Sequence, residues 1–377
     1  MRICLLCDAQ SIHFKRWAGH LRARGHTVKI YSQKHQEIQG VQVSSMSLPR
    51  APLPLFHSVK KLFKALYRIL RGRRLRKELR SYRPQVVHAH FLTDSGWISS
   101  WTGFHPLIIT AHGSDVLIHP KHSRIDSFIA RFCVHRADIV TVVARHMRPR
   151  IRRLGCPASK LCYLPNFVDT DLFNISHRPH RDYRKRLLEP VIVSARSLKP
   201  IYHVDLLIEA IPSVLRDIPD ARFIIIGEGS ERSKLIDQAE QLNIQHRVEF
   251  LPQQSHERIS EIFQNADIYV STSRSDGLCV SLLEAMASGL YPIVTDIPGS
   301  RELIAGGING SLISPDDEAA LSETIVDIVR RPQQLPKVIR TNFDLIRTRY
   351  EEKKIMLEVE SLYRQAAETG SGSKCLR

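Results

Sequence analysis

No stretch of this 377-residue chain stays apolar for the roughly 20 residues that a membrane-spanning helix needs, because charge or proline interrupts the richest segments. A soluble or peripheral protein is therefore expected. Cysteine is scarce and scattered: the seven residues at 4, 7, 133, 156, 162, 279 and 375 show no paired metal-type spacing, and several lie inside apolar segments. That pattern argues against a zinc module and fits a reducing cytosol. Acidic residues are nearly missing from the first half. Residues 1–186 hold 34 Lys and Arg against 10 Asp and Glu, a balance of +24, whereas the remainder holds 21 against 28. One half of the protein is thus expected to face a polyanion, whether nucleic acid, anionic lipid headgroups or a phosphate-bearing substrate. Neither a helix-turn-helix nor an aromatic single-strand platform is evident, which counts against nucleic acid.

The remaining composition is globular. With 43% hydrophobic and 25% charged residues, the chain has apolar mass for two cores of ordinary size. The amino end, Met1 to Asp8, has basic and apolar letters like an export signal, but the apolar run stops at Asp8 and reads as a buried strand. Apolar runs then alternate with helical patterns: Ile3–Cys7, a helix near Phe14–Arg24, Thr27–Tyr31, Val86–His90, Leu107–Thr110, a helix near Asp126–Arg136, and Ile139–Val143. A second series contains Val191–Ala195, Arg222–Ile226, Val248–Leu251, Ile268–Ser271 and Tyr291–Thr295. Continuous apolar strands joined by helices predict two α/β, doubly wound, Rossmann-like domains with parallel sheets. The polar segment Asn174–Glu189 is the expected linker, giving domains 1–173 and 174–347, with a terminal helix at about 348–368 and a polar tail at Thr369–Lys374. Residues 53–83 read as a basic amphipathic helix with a potential break at Gly72, suited to an anionic membrane surface.

The densest chemical cluster runs from Ser273 to Gly289. It follows a strand and opens a helix, so the backbone amides near Gly277, Leu278, Cys279, Val280 and Ser281 can point at an anion. Asp276 and Glu284 can accept hydrogen bonds from neutral polyols, a sugar at one end and a ribose at the other. Ser281-Leu282-Leu283-Glu284 is also an S-x-x-E capping box, which would give Glu284 a purely structural duty. At the end of the second series' first strand, Arg196 and Lys199 can neutralise a leaving diphosphate. Thr110-Ala111-His112-Gly113-Ser114-Asp115 follows a strand of the first series, and His112 can hydrogen-bond a hydroxyl or phosphate. Ser11 and His13 occupy the first strand-to-helix turn, where Ser11 can contact substrate or merely cap the helix.

Acid-X7-acid followed by Ala-Met-Ala-Ser-Gly resembles the donor signature of the large retaining GT-B glycosyltransferase family, the family 4-like, group 1 enzymes. The likeness extends along nearly the whole chain: His112-Gly113-Ser114-Asp115, the Pro165-Asn166 junction, Arg196, and Asp276 through Glu284. It implies two domains facing across a cleft and a metal-independent hexosyltransferase. The donor would be a nucleotide sugar such as a UDP- or GDP-sugar, with no other cofactor, and the acceptor a lipid-linked molecule or a glycan of the cell surface. The protein would work in the cytoplasm, peripheral on the inner face of the cytoplasmic membrane. By resemblance, His112, Arg196 and Asp276 are catalytic, and Lys199, Gly277, Leu278, Cys279, Val280, Ser281 and Glu284 bind donor. Ser11, His13 and Asp115 belong to the acceptor side, and no metal is expected.

The chain also departs from the family pattern. Asp276 stands for the commoner Glu, Tyr202-His203 for the usual Lys-Gly, Phe167 for a Gly, and the first turn lacks a Gly-Gly pair. Gly227-Glu228-Gly229 lacks full dinucleotide spacing, and Asp169-Thr170-Asp171 only mimics the metal-binding D-x-D of another fold. A GT-B sugar-nucleotide 2-epimerase and a non-catalytic nucleic-acid-binding protein are the competing readings.

Overall fold

The computed structural model of the chain describes residues 1–33, 36–46, 57–178 and 187–369. Residues 53–56, part of the expected linker and the tail beyond Thr369 lie outside these residues. The chain divides into two compact units: Met1–Pro165 with the chain from Met356 onward, and Asn166–Ile355.

Unit 1 is built on seven parallel strands: β1 (Arg2–Leu6), β2 (Thr27–Ser32), β3 (Gln42–Ser45), β4 (Val86–His90), β5 (Leu107–Ala111), β6 (Ile139–Val142) and β7 (Leu161–Tyr163). Their order is β3-β2-β1-β4-β5-β6-β7, so the winding reverses between β1 and β4. Every residue of β4 and β5 is buried, as expected of strands covered on both faces. The principal helices are α1 (Ile12–Ala23), α2 (His57–Tyr82) and α3 (Arg124–Arg136).

Helix α2 is continuous for 26 residues and does not break at Gly72. A Cβ at Gly72 would collide with the Ile98 carbonyl oxygen and lie 2.7 Å from Trp101 Cβ, so this glycine serves close packing. Phe63, Leu66 and Leu70 of the same helix are exposed. Among the described residues, no helix is long and apolar enough to cross a membrane.

Unit 2 has six parallel strands: β8 (Val191–Ala195), β9 (Arg222–Ile226), β10 (Val248–Leu251), β11 (Ile268–Ser271), β12 (Tyr291–Thr295) and β13 (Ser311–Ile313). Their order is β10-β9-β8-β11-β12-β13, with the reversal between β8 and β11. Helix α4 (Val204–Asp217) buries an apolar stripe including Leu207, Ile208, Ile211 and Val214. Helices α5 (His256–Asn265), α6 (Val280–Ala287) and α7 (Leu335–Arg349) follow. The last helix, α8 (Glu352–Thr369), ties into unit 1, where Glu360 accepts from Arg24 Nε at 2.8 Å.

Candidate functional site

In open α/β sheets the crevice for ligands opens at the carboxyl ends of the strands that flank the reversal. In unit 2 these are β8 and β11. Arg196 directly follows β8, and the loop Thr272–Cys279 follows β11, so the topology brings the predicted Arg and Asp together. Arg196 Nη2 donates to Asp276 Oδ2 at 2.5 Å, with the two side chains only 8% and 20% exposed. The guanidinium also contacts Cys279 Sγ and lies 4.3 Å from the centre of the Tyr202 ring. Burial opposes its charge, but the Asp276 carboxylate prevails, and the Arg196 pKa moves further up. Its Nε is buried with no hydrogen-bond partner among the described residues.

Two glycines allow this arrangement. A Cβ on Gly227 would strike the Arg196 carbonyl oxygen, and one on Gly229 would strike that of Leu198. The Gly-Glu-Gly segment is thus a packing surface for the Arg196 loop. A Cβ on Gly299 would lie 2.6 Å from the Gly277 carbonyl oxygen, so the Asp276 loop also rests on a bare backbone.

Cys279, and not Ser281, is the N-cap of α6, and no side chain caps that end. The capping-box alternative fails for that reason: Ser281 Oγ bonds Tyr269 Oη at 2.8 Å, and Glu284 lies in the second turn. The backbone N–H groups of Val280, Ser281 and Leu282 have no protein acceptor among the described residues. They are unsatisfied donors with the positive end of the helix dipole behind them. Asn166 Nδ2 donates to the Leu278 carbonyl oxygen at 2.7 Å and steadies the approach to the helix. Gly277 N donates to Asp276 Oδ1 at 2.8 Å.

Glu284 is buried, with His256 Nε2 3.6 Å from its Oε1, so the two acids have different neighbours. Lys199 is exposed and makes no side-chain bond among the described residues. The two residues that replace Lys-Gly have identifiable duties. Tyr202 stacks under Arg196, and His203 adopts a left-handed φ of 48° with Nδ1 3.3 Å from Asp316 Oδ1. Asp169 Oδ1 accepts from the Asp171 backbone N–H at 3.0 Å, a local turn.

In unit 1 the reversal lies between β1 and β4. Ser11 is the N-cap of α1 but makes no side-chain cap bond, so capping is not its duty. His13, one turn on, sets its ring against Phe14 and Trp17 at 5.3 and 5.7 Å. His112 follows β5, stacks on Phe91 at 4.4 Å and places Nε2 3.0 Å from His90 Nδ1. Burial, then the neighbouring His88, holds the His112 pKa down at about 3, so the ring is neutral near pH 7.

Asp115 does not reach an acceptor, contrary to the expectation. It is fully buried, and its oxygens accept from the backbone N–H groups of Leu92, His112 and Gly113 at 2.8, 3.1 and 2.9 Å. Its carboxylate shapes the His112 loop. Beneath it lies a group not singled out from the sequence: His88 and His90 of β4, both fully buried, with Tyr363 of α8 and Thr110 and Thr141. Two histidines at i and i+2 in an otherwise apolar strand were the available signal.

Comparison with known proteins agrees with this layout. Residues 10–172 match the family described as Glycosyltransferase Family 4, and residues 178–343 match Glycosyl transferases group 1. Phosphatidyl-myo-inositol mannosyltransferase of Mycobacterium leprae is 25% identical, with 98% of each chain covered. A phosphatidylinositol N-acetylglucosaminyltransferase from Arabidopsis thaliana is 30% identical over 51% of this chain, and the match spans only 40% of that relative's length. The fold is shared with the Anabaena protein HepE, solved with UDP-glucose, at a TM-score of 0.78 and 17% identity, over 97% of this chain and 99% of that one. The chain belongs to the group 1 glycosyltransferases of the GT-B fold, with a family 4-type amino-terminal half.

Proposed function

We propose that the protein transfers a hexosyl group from a UDP- or GDP-sugar to a lipid-linked or glycan acceptor, with retention of anomeric configuration and without a metal ion. The observation that carries this reading is the Arg196 guanidinium, set against the uncapped amino end of α6 at the unit 2 reversal. A diphosphate there meets one fixed cation and a row of free amides, and both interactions strengthen as negative charge grows on the leaving oxygen. Lys199 is within the same loop and free to turn toward the ligand. Asp276 accepts a donor-sugar hydroxyl, and Glu284 accepts from the ribose. His112, with Ser11 and His13 on the acceptor side, hydrogen-bonds the reacting sugar. As the bond from the anomeric carbon to phosphate oxygen breaks, the acceptor oxygen bonds the same face of that carbon. Its proton passes to the departing phosphate.

A lipid acceptor is supported by the phosphatidylinositol named in two relatives and by helix α2. That helix exposes Phe63, Leu66 and Leu70 in its first half and Arg73, Arg74, Arg76, Lys77 and Arg80 in its second. Arg76, Arg80, Arg83 and Arg136 line a cavity of about 650 Å³ near the starts of β4 and β5. We place the protein on the anionic inner face of the cytoplasmic membrane on these grounds.

Calorimetric titration with UDP- and GDP-sugars tests the donor reading, with Arg196→Gln as the control that should abolish binding. Turnover that survives chelation supports the metal-free step. Conversion of the donor alone, without acceptor, would instead indicate epimerisation. Equal flotation with neutral and anionic liposomes at low salt would refute the membrane assignment.

A further inference from the structure

Trp17 sets a direction through the buried polar chain beneath His112. An indole N–H can only donate, and it donates to Tyr363 Oη at 3.3 Å. The Tyr363 hydroxyl, having accepted that bond, donates to His88 Nδ1 at 2.6 Å. A neutral His88 that accepts at Nδ1 carries its hydrogen on Nε2, which donates to Thr110 Oγ1 at 2.6 Å. Thr110 in turn donates to Thr141 Oγ1 at 2.5 Å. This direction satisfies every group in the series, and reversing it strands the tyrosine proton.

His90 stands beside this series, its ring centre 4.2 Å from that of His88. Burial drives its pKa well below the ordinary histidine value, so His90 and His112 meet as neutral rings, one donating and one accepting. His90 Nε2 is buried with no hydrogen-bond partner among the described residues, and the rings of Phe14 and Trp17 lie 4.4 and 5.1 Å away. A hydrogen on Nε2 would be a donor with no acceptor. Native interiors keep orphaned N–H groups more rarely than under-used acceptors. The hydrogen therefore belongs on His90 Nδ1, and the bond to His112 Nε2 at 3.0 Å runs from His90 to His112.

We infer that His90 is a positioning residue that locks His112 in the tautomer bearing hydrogen on Nδ1. His112 Nδ1 has no protein partner among the described residues. It is the atom left for a ligand. It presents a fixed, neutral N–H donor, so it holds an acceptor oxygen of the ligand and does not take up a proton. That this oxygen belongs to a sugar or its phosphate rests on the transferase reading; the tautomer does not.

The test is a long-range proton–nitrogen spectrum of the full chain labelled with ¹⁵N-histidine at neutral pH, with His112 assigned from the signals lost in His112→Ala. His112 and His90 should show hydrogen on Nδ1, and His88 on Nε2. A His112 with hydrogen on Nε2, on both nitrogens, or averaging between them overturns the inference. In His90→Phe, His112 should shift toward the Nε2–H form that free imidazole side chains favour, and an unchanged pattern would deny His90 its role. If that variant does not fold, His90→Asn, whose amide N–H stands near the Nδ1 position, should keep the locked pattern, and its loss counts against the inference. No substrate is needed for these measurements. A wrong tautomer therefore leaves the transferase reading standing, whereas a correct tautomer in a chain that binds no nucleotide sugar sinks only the transferase reading.

Discussion

The two units place polar groups at the same topological position, the carboxyl ends of strands at the sheet reversal, yet they use opposite electrostatics. Unit 2 gathers charge: a guanidinium, a carboxylate and an uncapped helix end. Unit 1 gathers buried imidazoles that stay neutral, tied to hydroxyls and aromatic rings. A fixed cation discriminates for a ligand group of full negative charge, such as a phosphate. Neutral rings discriminate by direction and suit hydroxyls, whose hydrogen bonds carry no net charge. Similar frames thus support division of labour, and the division can be tested.

The largest expected effect is on pH stability. The unfolded chain takes up protons at ordinary histidine sites near pH 6.5, whereas His88 and His112 of the folded chain resist protonation until about pH 3. Unfolding therefore binds protons in that window. Stability should be complete above pH 6.5 and fall by about 1.4 kcal/mol per pH unit for each buried imidazole as pH drops toward 3. The three tryptophans, 17, 97 and 101, all lie in unit 1, so denaturant titration followed by tryptophan emission reads that unit alone. A flat response from pH 7.5 to 5 would erase the contrast.

Next in size, Arg196→Gln should lower nucleotide-sugar affinity or turnover by roughly 10²–10³-fold, about 3–4 kcal/mol, because it removes the cation and strands Asp276. Calorimetry and initial rates measure it. A loss under about threefold would remove charge from the unit 2 account. Gly227→Ala should cost about 2–3 kcal/mol of stability through collision with the Arg196 carbonyl, seen as a lowered thermal transition in calorimetry. The smallest effect is that of Glu284→Gln: at most about 1 kcal/mol of stability, with donor affinity reduced roughly tenfold. Unchanged affinity would return Glu284 to a structural role.

Much of this layout was legible in the letters. Strands β4, β8, β9, β10, β11 and β12 match the apolar runs residue for residue, because strands buried on both faces leave no polar position to blur their ends. The edge strands β3, β7 and β13 were missed: at three or four residues, with Gln, Ser and Tyr among them, they carry too little pattern. Gly72 was misjudged because a glycine serving close approach and one breaking a helix look alike until the neighbour is known. The Arg196 and Asp276 pairing followed from strand order and motif together. His88 and His90 escaped notice because they were absorbed into an apolar run, and their partners Thr110, Thr141 and Tyr363 come from elements distant in sequence. Asp115 was misassigned for a related reason: nothing in its spacing tells a carboxylate that meets a ligand from one that gathers three amides.

The pairing of Arg196 with Asp276 also bears on ionic strength. A phosphate docking at this guanidinium replaces a tethered anion and does not neutralise a bare cation, so fewer mobile counterions are released than at an open lysine patch. Donor affinity should consequently vary little between dilute and concentrated salt, while attachment through the exposed arginines of α2 should fade steeply over the same range.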